Sequence, residues 1–164
     1  MQNIVLIGFM GSGKSSIASM LAKNLDKSLI DSDSYIESIQ KTSIKDIFAS
    51  KGEHYFRLLE KNFIDEFENS SNNIIATGGG MPIFNDISKL GIAIYLKIDF
   101  DSIVQRIINE VNTRPLFKDI QKAKELYIQR EPLYTKASKI IINANTNPTK
   151  IMQDIMKAID DKTK

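Results

Sequence analysis

The sequence predicts one α/β domain over residues 1–164, in which helices cover both faces of a central parallel sheet of about five strands. Short β-branched runs alternate along the chain with segments that have helical spacing, which is the pattern of βαβ units. The first run, Ile4 to Ile7, is apolar throughout, as expected for a strand buried on both faces. A glycine-rich turn follows it and leads into a helical segment. Together these features predict a three-layer α/β/α fold.

The remaining elements follow from the same patterns, taken in chain order. Strands are predicted at residues 4–7, 28–31, 73–77, 91–98 and 139–143. Helices are predicted at residues 16–25, 35–40, 44–50, 52–68, 100–108, 120–134 and 149–159. Ser43 is expected to cap the helix at 44–50. Residues 109–119 are polar and lack a clear period, so we predict an irregular loop there.

The composition excludes several classes of function. The 164 residues are 42% hydrophobic and 26% charged, which is ordinary for a globular protein. The net charge of +2 is too small to indicate nucleic acid or an anionic membrane as a partner. The chain has no cysteine, which excludes disulfides, thiolate metal sites and cysteine nucleophiles. Its single histidine, His54, cannot form a multi-histidine zinc site and is expected to be a surface or packing residue.

The sequence also carries an expectation about location. No segment is long and apolar enough to span a bilayer, and the apolar run at residues 4–7 lacks the basic flank of a signal peptide. We therefore expect a cytoplasmic protein without membrane or nucleic-acid partners, and we expect it to be a monomer.

Residues 8–15 form the strongest motif in the sequence. They read G-F-M-G-S-G-K-S and match G-x-x-x-x-G-K-[ST], between the first strand and the first helix. The glycines allow backbone N–H groups to converge on phosphate oxygens, and the positive end of the helix adds to this attraction. Lys14 would contact the β- and γ-phosphates, and the Ser15 hydroxyl is a natural ligand for Mg²⁺. The alternative is a glycine-rich turn with an exposed lysine.

The motif predicts binding of a nucleoside triphosphate but leaves the reaction open. Guanine-specific switch proteins would be expected to carry D-x-x-G and N-K-x-D. Neither pattern occurs in this chain, which argues against a GTPase.

Two aspartates, Asp31 and Asp33, lie at the carboxyl end of the second predicted strand, where ligands bind in α/β sheets. If the strand geometry continued through them, both carboxylates would point to the same side. One could then hold Mg²⁺ through water, while the other contacted an acceptor hydroxyl. The alternative is that both aspartates cap the following helix.

One face of the predicted helix at 52–68 carries two carboxylates, an aromatic residue and an arginine, namely Glu53, Phe56, Arg57 and Glu60. Two carboxylates on either side of a guanidinium would orient it to receive a planar anion. A solvated salt-bridge face is the alternative.

A run of three glycines, Gly78–Gly80, follows the third predicted strand and would let a ligand approach the backbone closely. A loose turn is the alternative. Arg114 and Arg130 are single arginines that, taken individually, fit a surface position better than a site.

Six motifs, taken in order, resemble those of the shikimate kinase family over nearly the whole chain, from residue 3 to about residue 159. They are G-F-M-G-S-G-K-S at 8–15, D-S-D at 31–33, G-E-H-Y-F-R-L-L-E at 52–60, G-G-G at 78–80, T-R-P-L at 113–116 and R-E-P-L-Y at 130–134. The resemblance implies a P-loop kinase fold like that of nucleoside monophosphate kinases. It also implies ATP- and Mg²⁺-dependent phosphorylation of the 3-hydroxyl of shikimate, a step toward chorismate and the aromatic amino acids.

The resemblance further implies roles for individual residues. Asp33 would act as general base or orient the acceptor hydroxyl, while Lys14 and Arg114 would contact the transferring phosphate, the latter from a lid at about 109–119. Arg57 and Arg130 would clamp the shikimate carboxylate next to an acceptor region at about 32–60. The other residues implied to line the shikimate site are Phe56, Glu60, Gly78, Gly79 and Gly80. Those implied to hold the nucleotide or its Mg²⁺ are Gly11, Ser12, Gly13, Ser15, Ser16, Asp31, Arg106 and Pro148.

Two features depart from the family pattern. Arg106 is nearest to the adenine-packing arginine of similar proteins but is displaced by about one residue, and Pro148 lacks the arginine that often precedes the adenine-loop proline.

The alternative functions are another small P-loop metabolite kinase, such as one acting on gluconate, and a non-catalytic nucleotide-binding module. A nucleoside monophosphate kinase is disfavoured because the expected G-[FYI]-P-R element is missing.

Overall fold

A computed structural model of the protein describes residues 2–109 and 119–163. The strands within these ranges are β1 (Ile4–Ile7), β2 (Ser28–Asp31), β3 (Asn73–Ala76), β4 (Ile92–Lys97) and β5 (Ile140–Asn143). They form one sheet in the order β2-β3-β1-β4-β5, and every neighbouring pair is parallel. The predicted α/β fold with a five-stranded parallel sheet is therefore confirmed.

The helices lie between the strands. They are α1 (Lys14–Leu25), α2 (Ser32–Gln40), α3 (Ile44–Phe67), α4 (Met81–Phe84), α5 (Phe100–Ile108), α6 (Ile120–Ala137) and α7 (Pro148–Thr163). Ser43 caps α3 as predicted, since its hydroxyl accepts from the Asp46 N–H at 3.1 Å. The two helical segments predicted on either side of residue 51 form this one helix, which is kinked where Gly52 has φ 81° and ψ 171°.

Several helix boundaries differ from the sequence prediction: α6 ends at Ala137 and not at residue 134, and α7 spans Pro148–Thr163 and not residues 149–159. Helix α1 begins at Lys14 and not at residue 16, and α2 begins at Ser32 and not at residue 35. The early start of α2 has a local cause, because the Asp31 carboxylate accepts from the Ser34 N–H at 3.0 Å and so ends the strand and caps the helix. Helix α4 was not predicted, since its four residues are too few to show a helical period.

The order of the strands brings the predicted motifs to one edge of the sheet. Strand β1 lies between β3 and β4, and its four residues are at most 2% exposed, which explains the uniformly apolar sequence. Strands β2, β3 and β1 are neighbours and run in the same direction. Residues 8–13, 32–33 and 77–80 each follow the carboxyl end of one of these strands, so they meet at the edge where α/β proteins bind ligands.

A small second core holds the predicted acceptor region together. Ile36 of α2 and Ile47 and Phe56 of α3 are buried against one another, separately from the main core around the sheet. This packing fixes α2, which carries Asp33, relative to α3, which carries Arg57.

No helix in residues 2–109 or 119–163 combines the length and the apolar character that crossing a membrane requires.

Gly91, which precedes β4, gives a test of the packing at the other edge of the sheet. Its φ is +147°, and a Cβ there would collide with the backbone carbonyl oxygen of Asn3. Because both strain and collision arise, we expect Gly91→Ala to lower the free energy of unfolding by about 3 kcal/mol, and Tm by about 6–12 °C. Thermal and urea denaturation measure the effect. Gly79→Ala is the control, because a Cβ at Gly79 would meet its nearest atoms at 3.6 Å; an equal loss in both variants would contradict the account.

Candidate active site

The backbone after β1 folds into a tight loop that ends at α1. The Ser12 N–H donates to the Phe9 carbonyl at 3.1 Å, and Gly13 begins the helix with φ 90°, a conformation that other residues rarely adopt. Within the described residues no side chain caps this helix end, so the N–H groups of its first turn are available to a phosphate. Lys14 lies across the loop, with Nζ 2.7 Å from the Gly8 carbonyl oxygen.

A cavity of about 480 Å³ opens beside this loop and unites most of the residues that the sequence analysis selected. Those that line it are Gly11, Ser12, Gly13, Lys14, Ser15, Ser16, Asp31, Asp33, Gly78, Gly79, Arg106 and Pro148. Met10, Ile17, Thr77 and Ile151 complete the wall and had not been selected. The phosphate loop and both aspartates therefore line the same cavity, as the transfer of a phosphoryl group between two substrates requires.

The donors beside the loop fit Mg²⁺. The Ser15 hydroxyl donates to Oδ2 of Asp31 at 3.2 Å, which places a hydroxyl and a carboxylate side by side at the cavity. No group of three or more His, Cys, Asp or Glu side chains within residues 2–109 and 119–163 could form a metal cage. Mg²⁺ at nucleotide sites needs no such cage, because substrate phosphates and water supply most of its ligands.

Asp33 lies in the first turn of α2, and not in a continuation of β2 as the alternation argument assumed. The capping alternative holds for Asp31, whereas the Asp33 carboxylate faces the cavity. Burial, and after it the charge of Asp31, raises the pKa of Asp33 to about 6. Its Oδ1 is buried without a hydrogen-bond partner in the described part of the chain. A buried carboxylate oxygen without a donor is suited to accept a hydrogen bond from a substrate hydroxyl.

Arg57 is held between two carboxylates of its own helix, as the spacing predicted. Its Nη2 lies 3.0 Å from Glu53 Oε1, and its Nη1 lies 2.8 Å from Glu60 Oε2. The two ion pairs differ in environment, since the Glu53 side chain is 53% exposed and that of Glu60 is 0% exposed. The solvated salt-bridge alternative therefore describes Glu53 but not Glu60.

Glu60 is buried with only one of its carboxylate oxygens hydrogen-bonded among the described residues. Asn85 Nδ2 donates to Glu60 Oε2 at 3.4 Å, while Oε1 has no hydrogen-bond partner among the residues described. Burial raises the pKa of Glu60 to about 7, against the opposing effect of Arg57. Glu60 thus orients the guanidinium at a cost to the stability of the fold.

The raised pKa of Glu60 predicts a pH dependence of stability. Because the folded state holds the proton up to about pH 7 and the unfolded state only to about 4.5, the free energy of unfolding must fall as pH rises through this window. The contribution of Glu60 to that fall is about 3 kcal/mol at most. We expect Glu60→Gln to show a smaller decrease in stability between pH 5 and pH 8 than the unsubstituted protein, measured by urea denaturation at both values. Parallel pH profiles for the two proteins would contradict this assignment.

The glycine run brings its backbone close to both charged groups. A Cβ on Gly78 would lie 2.6 Å from Asp33 Oδ1, and one on Gly80 would lie 2.5 Å from Arg57 Nη1. These two glycines therefore make room for the side chains of Asp33 and Arg57. The alternative of a loose turn does not account for these close approaches. Gly79, between them, accepts a hydrogen bond from the buried Tyr134 hydroxyl at 2.7 Å.

Tyr134 is a residue of this site for which the sequence analysis gave no role. It is 0% exposed, packs against the ring of Tyr95 and lies one helical turn after Arg130 on α6. Burial raises the pKa of Tyr134 to about 12, and the positive charges of Arg130 and Arg57 act in the opposite direction. Arg130 also acts to lower the pKa of Glu60, but neither Arg57 nor Arg130 is among the described residues that line the cavity. The i, i+4 spacing from Arg130 was the available signal for Tyr134.

Arg106 reaches the phosphate loop despite its displaced position in the sequence. Its guanidinium donates to the Ala144 carbonyl at 2.9 Å and to the Ser12 carbonyl at 3.3 Å, which joins α5 to the loop after β5. A second cavity of about 380 Å³ lies beside Arg106, with Asn145 and Thr146 on its wall.

His54 is exposed, as predicted. Arg114 and most of the predicted lid lie outside the described residues.

Comparisons with known proteins agree with this geometry. Residues 10–160 match the family model for shikimate kinase. The chain is 46% identical over 162 residues to the shikimate kinase of Helicobacter hepaticus, which covers 98% of this chain and 97% of that protein. It is 43% identical over 152 residues to the shikimate kinase of Clostridium botulinum (strain Langeland), with 88% and 89% covered.

A solved structure has the same fold. Shikimate kinase from Acinetobacter baumannii, in complex with shikimate, is 31% identical to this chain with a TM-score of 0.87, and the match covers 99% of this chain and 94% of that one. The family match spans most of the sequence, and the related proteins are covered nearly end to end. The chain therefore belongs to the shikimate kinase family.

Proposed function

We infer that this protein is an ATP-dependent kinase that transfers the γ-phosphoryl group of ATP to the 3-hydroxyl of shikimate, in the biosynthesis of aromatic amino acids. The observation that carries the proposal is the single cavity in which the phosphate loop faces Asp33. The charge of Arg57 acts on Asp33, so an anchor for an anionic acceptor lies nearby. Membership of the family supports shikimate as that acceptor.

Binding of the acceptor would depend on charge and shape. Arg57, held by Glu53 and Glu60, presents a planar fork to the carboxylate of shikimate, and Arg130 adds a second cation from α6. Gly79 would supply a backbone contact, because Tyr134 fixes its carbonyl. Two anchors at the carboxylate would set the ring so that one hydroxyl meets Asp33.

Asp33 would accept the proton of the 3-hydroxyl of shikimate. The hydroxyl oxygen would attack the γ-phosphorus of ATP, and ADP would leave. Its pKa, raised to about 6, keeps the carboxylate mostly ionised at neutral pH and more basic than an exposed aspartate. Little covalent help from the protein is needed, since phosphoryl transfer is promoted by position and by neutralisation of charge. Lys14 would neutralise the β- and γ-phosphates, and Arg114 would do the same from the lid.

Mg²⁺ would be held by Ser15 directly and by Asp31 through water, with phosphate oxygens as its other ligands. When bound, it would neutralise the charge of the β- and γ-phosphates. Arg106 and Pro148, both on the wall of the cavity, would hold the adenine end of the nucleotide, and Gly11 to Ser16 its triphosphate.

We further propose that the enzyme acts as a cytoplasmic monomer without nucleic-acid or membrane partners. The sequence has no cysteine that would need an oxidising compartment. Light scattering after size-exclusion chromatography tests the oligomeric state, for which we expect the mass of a single chain.

The substrate proposal is tested by measuring ADP release with Mg·ATP and a panel of acceptors. We expect rapid release with shikimate, and only slow release without an acceptor, with gluconate or with nucleoside monophosphates. Phosphorus–proton coupling in the NMR spectrum of the product should place the phosphate on the 3-oxygen. Equal rates with gluconate or a nucleoside monophosphate would contradict the choice of substrate, and nucleotide binding without turnover would indicate a non-catalytic module.

A further inference from the structure

Three aromatic rings surround the guanidinium of Arg57, and the nearest belongs to a residue outside every motif discussed above. The Cζ atom of Arg57 lies 4.2 Å from the ring centroid of Phe84, against 5.2 Å for Phe56 and 6.0 Å for Phe48. A cation within about 6 Å of an aromatic centroid is attracted by the negative face of the ring, and 4.2 Å is well inside that limit.

Phe84 does not belong to the apolar core. It is 52% exposed and lies in neither of the two clusters of buried residues. It is the last residue of α4, the short helix that begins directly after Gly80. The segment that leads from the glycine run into α4 therefore places two residues next to Arg57. Gly80 has no side chain and leaves room for the guanidinium, and Phe84 supplies an aromatic ring.

The contacts of Arg57 divide into two kinds. Glu53 accepts from Nε and Nη2, and Glu60 accepts from Nη1, so both carboxylates use N–H donors in the plane of the guanidinium. An aromatic ring over the cation uses none of these donors. Phe84 can thus restrict tilting of the guanidinium and exclude water from it, while the remaining N–H groups stay available to a substrate.

We propose that Phe84 is a positioning residue, whose ring holds the Arg57 guanidinium in the orientation that receives the carboxylate of the acceptor. This inference rests on the proposed function, because the anion in question is the acceptor of the phosphoryl group. Less orientational freedom is lost on binding when the guanidinium is already fixed. Phe84 therefore increases the affinity for shikimate and leaves the rate of phosphoryl transfer unchanged.

Substitutions at Phe84 separate the aromatic effect from simple apolar packing. Phe84→Leu keeps an apolar side chain but has no ring face, whereas Phe84→Tyr and Phe84→Trp keep one. We expect the leucine variant to raise KM for shikimate about 5- to 30-fold, with kcat within about twofold and KM for ATP unchanged. The tyrosine and tryptophan variants should stay near the original KM. Ile141→Ala, at an exposed apolar side chain on β5 outside the motifs and the acceptor region, is the control and should change neither constant.

The tryptophan variant also reports binding directly. The chain contains no tryptophan, so Phe84→Trp would carry a single tryptophan, whose emission can be excited apart from that of the tyrosines, at the position where the Phe84 ring lies 4.2 Å from the cation. We expect its emission to change on addition of shikimate, with a midpoint near KM, and the change to be lost when Arg57→Lys is added. Two results would overturn the proposal: a KM in Phe84→Leu equal to that of the unsubstituted protein, or equal increases in the leucine and tyrosine variants. Failure of the proposed function is distinguishable, since the unsubstituted protein would then show no turnover with shikimate.

Discussion

Asp33→Asn is expected to lower kcat for shikimate phosphorylation by about 10²- to 10⁴-fold while leaving ATP binding nearly intact. Asparagine preserves the size and the hydrogen-bonding reach of the side chain but cannot take the proton of the acceptor hydroxyl. The structure supports this separation, because Asp33 lies on α2, outside the phosphate loop, and its Oδ1 has no hydrogen-bond partner among the described residues. Steady-state kinetics beside a nucleotide titration measure the two effects.

Ser34→Ala, the neighbouring exposed residue on α2, serves as a control for that experiment and should keep its activity. If Asp33→Asn retained more than about a tenth of the original kcat, Asp33 would be an orienting group and not the general base. A parallel loss of ATP affinity would instead indicate that the substitution disturbs the phosphate loop.

Arg57→Ala is expected to raise KM for shikimate at least about 30-fold, since it removes the half-buried cation that we propose as an anchor for the acceptor carboxylate. It also leaves the buried Glu60 without its ion pair, which will lower stability. Arg57→Lys keeps the charge beside Glu60 but loses the planar fork, so it should weaken shikimate binding in a stably folded protein. An unchanged KM for shikimate in the lysine and alanine variants would remove Arg57 from the site.

Gly80→Ala tests the same anchor without altering any charged group. The φ of Gly80 is −89°, which alanine adopts without strain, but the new Cβ would lie 2.5 Å from Arg57 Nη1. The guanidinium must therefore move, and we expect KM for shikimate to rise in Gly80→Ala. Stability should be less affected than in Gly91→Ala, where the obstacle is backbone. Wild-type kinetics in Gly80→Ala would show that the position of Arg57 does not determine acceptor affinity.

Local sequence patterns were sufficient for the parts of the site that depend on local geometry. The phosphate loop is a continuous segment, and the Glu53–Arg57–Glu60 arrangement follows from helical spacing alone. The sequence analysis placed Asp31 and Asp33 at the same site, as the structure does, but the reason that it gave was wrong. The Asp31 side chain ends β2 by capping α2, so the two carboxylates share a site through a strand-to-helix turn and not through alternation along a strand.

The features that sequence patterns could not supply depend on residues distant in the chain. Tyr134 fixes the Gly79 carbonyl across 55 positions, and Phe84 meets Arg57 across α3 and β3. The burial that raises the pKa values of Asp33 and Glu60 likewise involves distant residues, since Asp33 lies against Gly78 and Glu60 is bonded to Asn85. Although Tyr134 lies within the motif at 130–134, no local pattern predicts which distant residue it contacts, because each of these effects arises only when separate elements pack together.

We propose that the acceptor acid, anchored by Arg57 and Arg130, lies in line with the phosphate that the loop holds. A crystal structure with shikimate, Mg²⁺ and an unreactive ATP analogue measures this most directly. We expect both Arg57 and Arg130 on the shikimate carboxylate, and the 3-hydroxyl within hydrogen-bonding distance of Asp33. Shikimate bound elsewhere, or with its carboxylate turned away from both arginines, would contradict the account.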